Sequence, residues 1–143
     1  MGQQQLLLVI LVTIIVGTAT VVGLNVFGTA ATDANRDAVR QDLLAAASVA
    51  QTVYVRPQMM DGAGGDFTRV EDDLLRRLRL PARENADGTF SNENGTYEIE
   101  GDVTSDAVTI RGTPSSGGPA ILVTIARDTD TRQWDVSVSD AAN

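Results

Sequence analysis

Residues 6–32 read LLLVILVTIIVGTATVVGLNVFGTAAT and contain no charged side chain, and this stretch decides the fold of the chain. A helix that crosses a membrane needs about 20 predominantly apolar residues. No proline separates this stretch from the next one, DANRDAVRQDLLAAASVAQTVYV, which covers residues 33–55. The sequence therefore predicts one continuous helix over residues 3–55, with an apolar front half and an amphipathic back half.

The two halves of this helix need different surroundings. Residues 6–16 are apolar on every side, so they require lipid or other helices all around them. The back half carries a single apolar stripe, which predicts packing against a small globular partner. The stripe consists of Val39, Leu43, Ala46, Ala47, Ala50, Val53 and Tyr54.

The remainder of the chain is long enough for one small globular head. Pro57 ends the long helix, which gives residues 1–56 as the helical region and residues 57–143 as the head. Periodicity predicts a short amphipathic helix over residues 69–79 and a polar, turn-rich segment over 84–95, with Phe90 as its anchor in the core. Alternation predicts four strands, at residues 96–103, 107–112, 120–127 and 133–140.

Short connections between these strands favour an antiparallel meander. The predicted fold is therefore α+β, with the long helix packed on a four-stranded antiparallel sheet. Inward positions by alternation include Tyr97, Ile99, Val103, Val108, Ile110, Ile121, Val123, Ile125, Trp134, Val136 and Val138.

Charge is distributed unusually in this chain. It has 19 acidic residues and 11 basic ones, and the net charge is −8. Every basic residue is arginine, and most of the acidic residues are aspartate. An acidic head disfavours nucleic-acid binding. The absence of lysine has two explanations, a head adapted to high salt or a GC-rich genome, and both remain open.

Several residue patterns were weighed for chemistry. The chain has neither histidine nor cysteine, which removes the commonest general base and metal ligand. Glu98 and Glu100 share one strand face, where solvated charge is the expected role. The arginines at 76, 77 and 79 suggest dipole compensation and surface pairing more strongly than a phosphate site. We predict no enzyme activity and no cofactor.

Two short motifs have both a functional and a structural interpretation. Asn94-Gly95-Thr96 matches the glycosylation acceptor pattern, and Asn-Gly is also a favoured hairpin turn. Asp128 and Asp130 suggest a calcium loop, but the spacing of an EF-hand is missing, so an aspartate-rich turn is favoured.

The N-terminus has three interpretations. A cleavable signal peptide fits poorly, because MGQQQ lacks a basic residue and the apolar run is too long. A plain membrane anchor for a soluble head fits the length. The third interpretation is that of a filament subunit.

This third interpretation rests on a resemblance to the type IV pilin and pseudopilin superfamily. Gly2, the glutamines at 3–5 and the apolar run Leu6–Val16 follow the family's order of a small residue, a polar residue or two and an unbroken apolar helix. The resemblance implies processing between Gly2 and Gln3. The family's acidic residue near the start of the mature helix would correspond to Leu7, so docking would rest on packing and on glutamine hydrogen bonds.

The resemblance also implies how the helix is used. The expected assembly core consists of Leu6, Leu7, Leu8, Val9, Ile10, Leu11, Val12, Ile14, Ile15 and Val16. Gly17, Gly23 and Gly28 either allow local unwinding around residues 17–24 in a filament or serve as close-packing positions between helices. Both interpretations depend on the absence of a Cβ atom in glycine.

The resemblance therefore implies a structural subunit of an extracellular helical filament. Identical copies would be its partners, and the inner membrane would hold the chain before assembly. The alternative is a single-pass anchored envelope domain that binds a partner without polymerising.

Overall fold

The computed structural model describes residues 2–142. Helix α1 covers Gly2–Val55 without a break. The chain forms two compact units, residues 1–34 and residues 35–143. This division differs from the sequence-based one at residue 56, because the back half of α1 is counted with the sheet whose core it completes.

The first unit is a single helical segment. Its backbone is α-helical through residues 17–24, despite the glycines and β-branched residues there. The threonine hydroxyls of this segment donate to backbone carbonyls three or four residues earlier, at 2.8–3.1 Å, from Thr13, Thr18, Thr20, Thr29 and Thr32. In this unit the hydroxyl groups therefore satisfy their hydrogen bonds within the helix itself.

The second unit contains one antiparallel sheet in the order β1-β2-β3-β4-β5-β6. The strands are β1 (Arg83–Glu84), β2 (Phe90–Ser91), β3 (Gly95–Ile99), β4 (Ala107–Pro114), β5 (Ile121–Arg127) and β6 (Trp134–Asp140). The α+β class is confirmed, but the predicted count of four strands is wrong. The two additional strands, β1 and β2, have two residues each, too few for alternation to be visible in the sequence.

The four predicted strands correspond to β3–β6, and the paired registers place their predicted apolar residues on one face. Strand β3 ends at Ile99 instead of residue 103, so Val103 is buried from the following loop and not from the strand. Ile99 pairs with Ile110, and Val108 pairs with Ile125. Val138 departs from the prediction because it is 39% exposed. Val138 pairs with the buried Val123, but β6 is an edge strand of the sheet and has a neighbouring strand on one side only.

The predicted helix over residues 69–79 is shorter and partly of another type. A 3-10 helix covers Phe67–Asp73, and α2 covers only Leu74–Arg77. The Asp66 carboxylate caps the start by accepting from the Thr68 backbone N–H at 3.0 Å. The end is forced by Arg79, whose φ of 50° leaves the helical region. The predicted apolar positions of this segment are nevertheless buried.

The core lies between the back half of α1 and one face of the sheet. Every residue of the predicted apolar stripe of α1 is buried. Phe90 is buried as predicted, at 8% exposure. The sheet approaches α1 closely at Gly112, where an added Cβ would lie 2.7 Å from Val39 Cγ1 and 2.9 Å from Leu43 Cδ1. This second unit therefore closes its own core.

Candidate assembly surface and head networks

The first unit presents an extended apolar surface, which we define as the exposed large apolar side chains of residues 6–27. These side chains are between 48% and 76% exposed. The predicted assembly core accounts for ten of them, and Val21, Val22, Leu24, Val26 and Phe27 complete the set. Because burying a Leu, Ile or Val side chain contributes about 1.5–3 kcal/mol, this surface requires an apolar environment.

Helix α1 is long and apolar enough to cross a membrane. Its most apolar 18-residue window has a mean hydropathy of 2.7, and none of that window is buried within the chain. An N-terminal signal sequence has the same properties, so length and composition establish compatibility with insertion and no more.

The three glycines of the apolar segment lie in open space. A Cβ added at Gly17, Gly23 or Gly28 would meet no heavy atom within 4 Å. With about 3.6 residues per turn, Gly17 and Gly28 share one helix face, while Gly23 lies about 120° away. The contacts that the chain makes with itself therefore do not explain these glycines.

The predicted processing residues lie at the start of the same helix. Gly2 is the first residue of α1, and the Gln3 side chain that follows it is exposed. Met1 lies outside the described residues.

In the second unit, Asp42 is the centre of a polar network that sequence analysis missed. Its carboxylate accepts from Tyr97 Oη at 2.6 Å, from Asn92 Nδ2 at 2.9 Å and from Asn94 Nδ2 at 3.0 Å. Burial raises the pKa of Asp42, but the three donors outweigh it and lower the pKa below 3.8. Burial, together with the Asp42 carboxylate, raises the pKa of Tyr97 well above its ordinary value.

This network bears directly on the glycosylation motif. Asn94 lies in the β2–β3 hairpin, where the Asn92 N–H donates to the Gly95 carbonyl at 3.0 Å. Asn94 lies in the turn, but Gly95 is already the first residue of β3 and neither residue has a positive φ, so the predicted Asn-Gly turn pair is not at the centre of the hairpin. Nδ2 of Asn94, the atom to which a glycan attaches, donates to Asp42 in the folded chain. A glycan attached there would replace one of the two hydrogens of this nitrogen, beside the Asp42 carboxylate.

A second network joins α1 to the opposite end of the sheet. Tyr54 Oη donates to the Asp106 carboxylate at 2.6 Å, which raises the pKa of Tyr54 and lowers that of Asp106. The Tyr54 ring lies 4.9 Å from that of Phe67 and 5.1 Å from that of Trp134. The Arg127 guanidinium lies 5.1 Å from the Tyr54 ring centroid, within cation–π range.

The candidate calcium residues occupy a turn. The Asp128 carboxylate accepts from the backbone N–H groups of Asp130 and Thr131, at 2.8 Å and 2.7 Å, and these bonds lower its pKa. Within residues 2–142, no group of three or more acidic, histidine or cysteine side chains is arranged to hold a metal. The geometry is that of an aspartate-stabilised turn.

Glu98 on β3 and Glu100, which directly follows this strand, both form ion pairs with Arg111. Arg111 Nη1 lies 3.0 Å from the Glu100 carboxylate and 4.0 Å from that of Glu98. Such partly exposed pairs contribute little to stability. The arrangement is that of a charged sheet surface, in agreement with the role expected for these residues.

Three comparisons were made with known proteins. No protein-family model, curated protein or solved structure matches this chain. Function is consequently inferred from the residues and their contacts.

Proposed function

We propose that this chain is a structural subunit of a type IV pilus-like extracellular helical filament. It is held in the inner membrane by residues 6–32 before assembly, and it joins identical copies through the apolar surface. The observation that carries the proposal is the contrast between the two units. The second unit buries a hydrophobic core made of its own residues. In the first unit, the uncharged helical segment 6–32 is exposed on all sides.

The open glycines favour copies of the chain over lipid as the final surroundings. Each glycine costs about 1 kcal/mol of helix propensity relative to alanine. Lipid gains nothing from a missing Cβ, whereas a neighbouring helix can approach more closely there. Gly17, Gly23 and Gly28 have no such neighbour within their own chain, so a second chain is the partner that would use them.

The decisive experiment fills one of these positions without adding polarity. We expect Gly17→Leu and Gly28→Leu to insert into the membrane as the native chain does, because both substitutions raise apolarity. We also expect both to abolish or severely reduce filaments in sheared surface fractions viewed by electron microscopy. Val22→Leu, which adds one methylene at an exposed position of the same segment, is the matched control and should still form filaments.

Other outcomes distinguish the alternative function. A native chain recovered only as a monomer from detergent-extracted membranes, and never in sheared fractions, would support an anchored envelope domain instead. If Gly17→Leu and Gly28→Leu assemble as well as Val22→Leu, close packing at the glycines is refuted.

Processing provides an independent measurement. From the resemblance to pilins, we expect the filament subunit to begin at Gln3 in mass spectra. Gly2→Leu should leave the precursor uncut and unassembled, whereas a plain anchor would tolerate this substitution. A filament whose subunits retain Gly2 would contradict the processing step and leave assembly intact.

A further inference from the structure

A cleft in the second unit gathers four of the eleven arginines of this acidic chain. We define the arginine cleft by its lining residues, which are Val53, Arg56, Asp61, Asp73, Arg76, Arg77 and Arg79. Its volume is about 320 Å³. The lining has four arginines and two aspartates, and Glu84 pairs with Arg76, so one positive charge is in excess at this place in a chain of net charge −8. The excess is local and opposite in sign to the rest of the molecule.

Two of the four arginines are committed to ion pairs. Arg76 Nη2 lies 2.8 Å from the Glu84 carboxylate, and Arg77 Nη1 pairs with the Asp61 carboxylate and also donates to the Asp61 carbonyl at 2.7 Å. Arg77 Nε, in contrast, is buried and has no acceptor among the residues that the structure describes. Its guanidinium is therefore only partly compensated by its neighbours.

The other two arginines have free guanidinium groups. Neither Arg56 nor Arg79 forms an ion pair or a side-chain hydrogen bond with another residue of the 2–142 range, although three carboxylates pair with Arg76 and Arg77 around the same cleft. A guanidinium presents five N–H donors in a fixed plane, an arrangement that suits phosphate and carboxylate oxygens.

The backbone holds both free arginines in place. The Arg56 carbonyl accepts from the Gly64 N–H at 2.9 Å, and the chain returns so closely that a Cβ on Gly62 would lie 2.1 Å from that carbonyl oxygen. Arg79 has a φ of 50°, a conformation that non-glycine residues rarely adopt. The backbone is therefore constrained at both arginines that line the cleft without an ion pair.

We infer that the arginine cleft binds a phosphate group, supplied either as free phosphate or as the headgroup of an anionic lipid. Arg56 and Arg79 carry the two guanidinium groups of the cleft that pair with no carboxylate among residues 2–142. A phosphate group, with about −1.5 to −2 charges near pH 7 and several acceptor oxygens, can accept hydrogen bonds from both. This inference does not depend on filament formation, because every lining residue belongs to one unit of one chain.

The test uses the full chain in a nonionic detergent. Titration calorimetry with inorganic phosphate, against sodium chloride at equal ionic strength, should show saturable binding. Arg56→Gln and Arg79→Gln should each weaken that binding about tenfold, because each removes a charge-assisted contact. Arg132→Gln is the control, since Arg132 is also exposed and has a φ of 59° but lies outside the cleft. It should leave binding unchanged.

A second arm identifies the source of the phosphate. Phosphatidylglycerol added to the same micelles should bind more tightly than free phosphate if the cleft takes a lipid headgroup, and more weakly if it takes the free ion. Whichever of the two ligands binds more tightly, Arg79→Gln should weaken its binding about tenfold. Thermal unfolding followed by Trp134 fluorescence, without phosphate, checks that each variant is folded.

The inference is overturned by either of two results. One is the absence of saturable binding beyond that of chloride in both arms. The other is binding that is the same in Arg56→Gln, Arg79→Gln and the native chain, because the phosphate would then sit elsewhere.

Discussion

Asp42 illustrates how one carboxylate can connect distant parts of a chain. It lies on α1, and its three donors come from residues 50 to 55 positions later. Hydrogen bonds to a charged acceptor contribute about 1.5–3 kcal/mol each at most, and leaving the donors unpaired costs a similar amount. This residue therefore secures the β2–β3 hairpin to the helix.

We predict that Asp42 controls part of the acid stability of the head. Because its folded pKa lies below 3.8, its contribution is fully present above that pH and is lost as the pH falls further. Asp42→Asn should lower the free energy of unfolding near pH 7 by about 1–3 kcal/mol. It should also reduce the further loss of this free energy as the pH falls below 3.8. Unfolding of the full chain in nonionic detergent, followed by Trp134 fluorescence, measures both effects.

The control for this experiment is Asp37→Asn. Asp37 lies on the same helix, and its contact with Arg40 is an exposed pair at 3.3 Å. Asp37→Asn should change neither the free energy of unfolding nor its dependence on pH. An Asp42→Asn variant with the acid profile of the native chain would contradict the assignment. Asp106 and Asp128 also have lowered pKa values, so some acid sensitivity remains in every variant.

Part of this network could be anticipated from the sequence. Asp42 lies three residues after Val39 and four before Ala46, which places a polar residue beside the apolar stripe. Its partners could not be predicted, because hairpin residues 92 and 94 meet the helix only through the register of the sheet. For the arginine cleft, the sequence grouped Arg76, Arg77 and Arg79 but favoured surface pairing over a phosphate site, and it did not include Arg56, which is distant in sequence.

At the scale of elements, the contact between α1 and β4 depends on Gly112. Its φ lies outside the left-handed region, so space and not backbone conformation accounts for the glycine. The side chains of Val39 and Leu43 occupy the volume where a Cβ would be. In such close packing, even a small added side chain displaces the helix or strains its contacts.

We predict that Gly112→Ala destabilises the head by about 1–3 kcal/mol through overpacking. Denaturant unfolding of the full chain measures the loss, and Ser137→Ala on the exposed face of β6 should stay within about 0.5 kcal/mol of the native chain. The double variant Gly112→Ala with Val39→Ala should lose less than the sum of the two single losses. Additive losses would show that the steric contact is not the cause.

The elements that were predicted correctly are those with long, regular patterns. The stripe of α1 repeats over four turns, and β4 to β6 alternate over seven or eight residues each. The segment from 67 to 77 changes from a 3-10 helix to one turn of α-helix, and hydrophobic spacing over so few residues does not separate the two types. The very short β1 and β2 are joined by a turn in which the Thr89 N–H donates to the Asp87 carboxylate, and β2 also pairs with β3.

At the scale of the molecule, charge is strictly segregated along the chain. No ionisable side chain occurs between Gly2 and Thr32, so the entire excess of carboxylates lies from Asp33 onward. None of the charged residues is buried. Repulsion between these surface carboxylates therefore depends on screening by ions.

We predict that the head loses thermal stability when salt is removed. Lowering sodium chloride from about 1 M to about 0.1 M lengthens the Debye length from about 3 Å to about 10 Å, which exposes the carboxylates to one another. The unfolding temperature reported by Trp134 fluorescence should fall. Sucrose, which is excluded from protein surfaces but carries no charge, should not replace the salt. An unchanged unfolding temperature would instead favour genome composition as the reason for the missing lysines.

The threonines of the first unit have a consequence for transfer between environments. Their hydroxyls donate to carbonyls of their own helix, as Thr13 does to Val9 at 2.8 Å. Moving such a segment from acyl chains to a protein neighbour requires none of these bonds to be broken. In the proposed filament, steric fit would then govern assembly, so the rate of subunit entry should respond to side-chain bulk and hardly at all to pH.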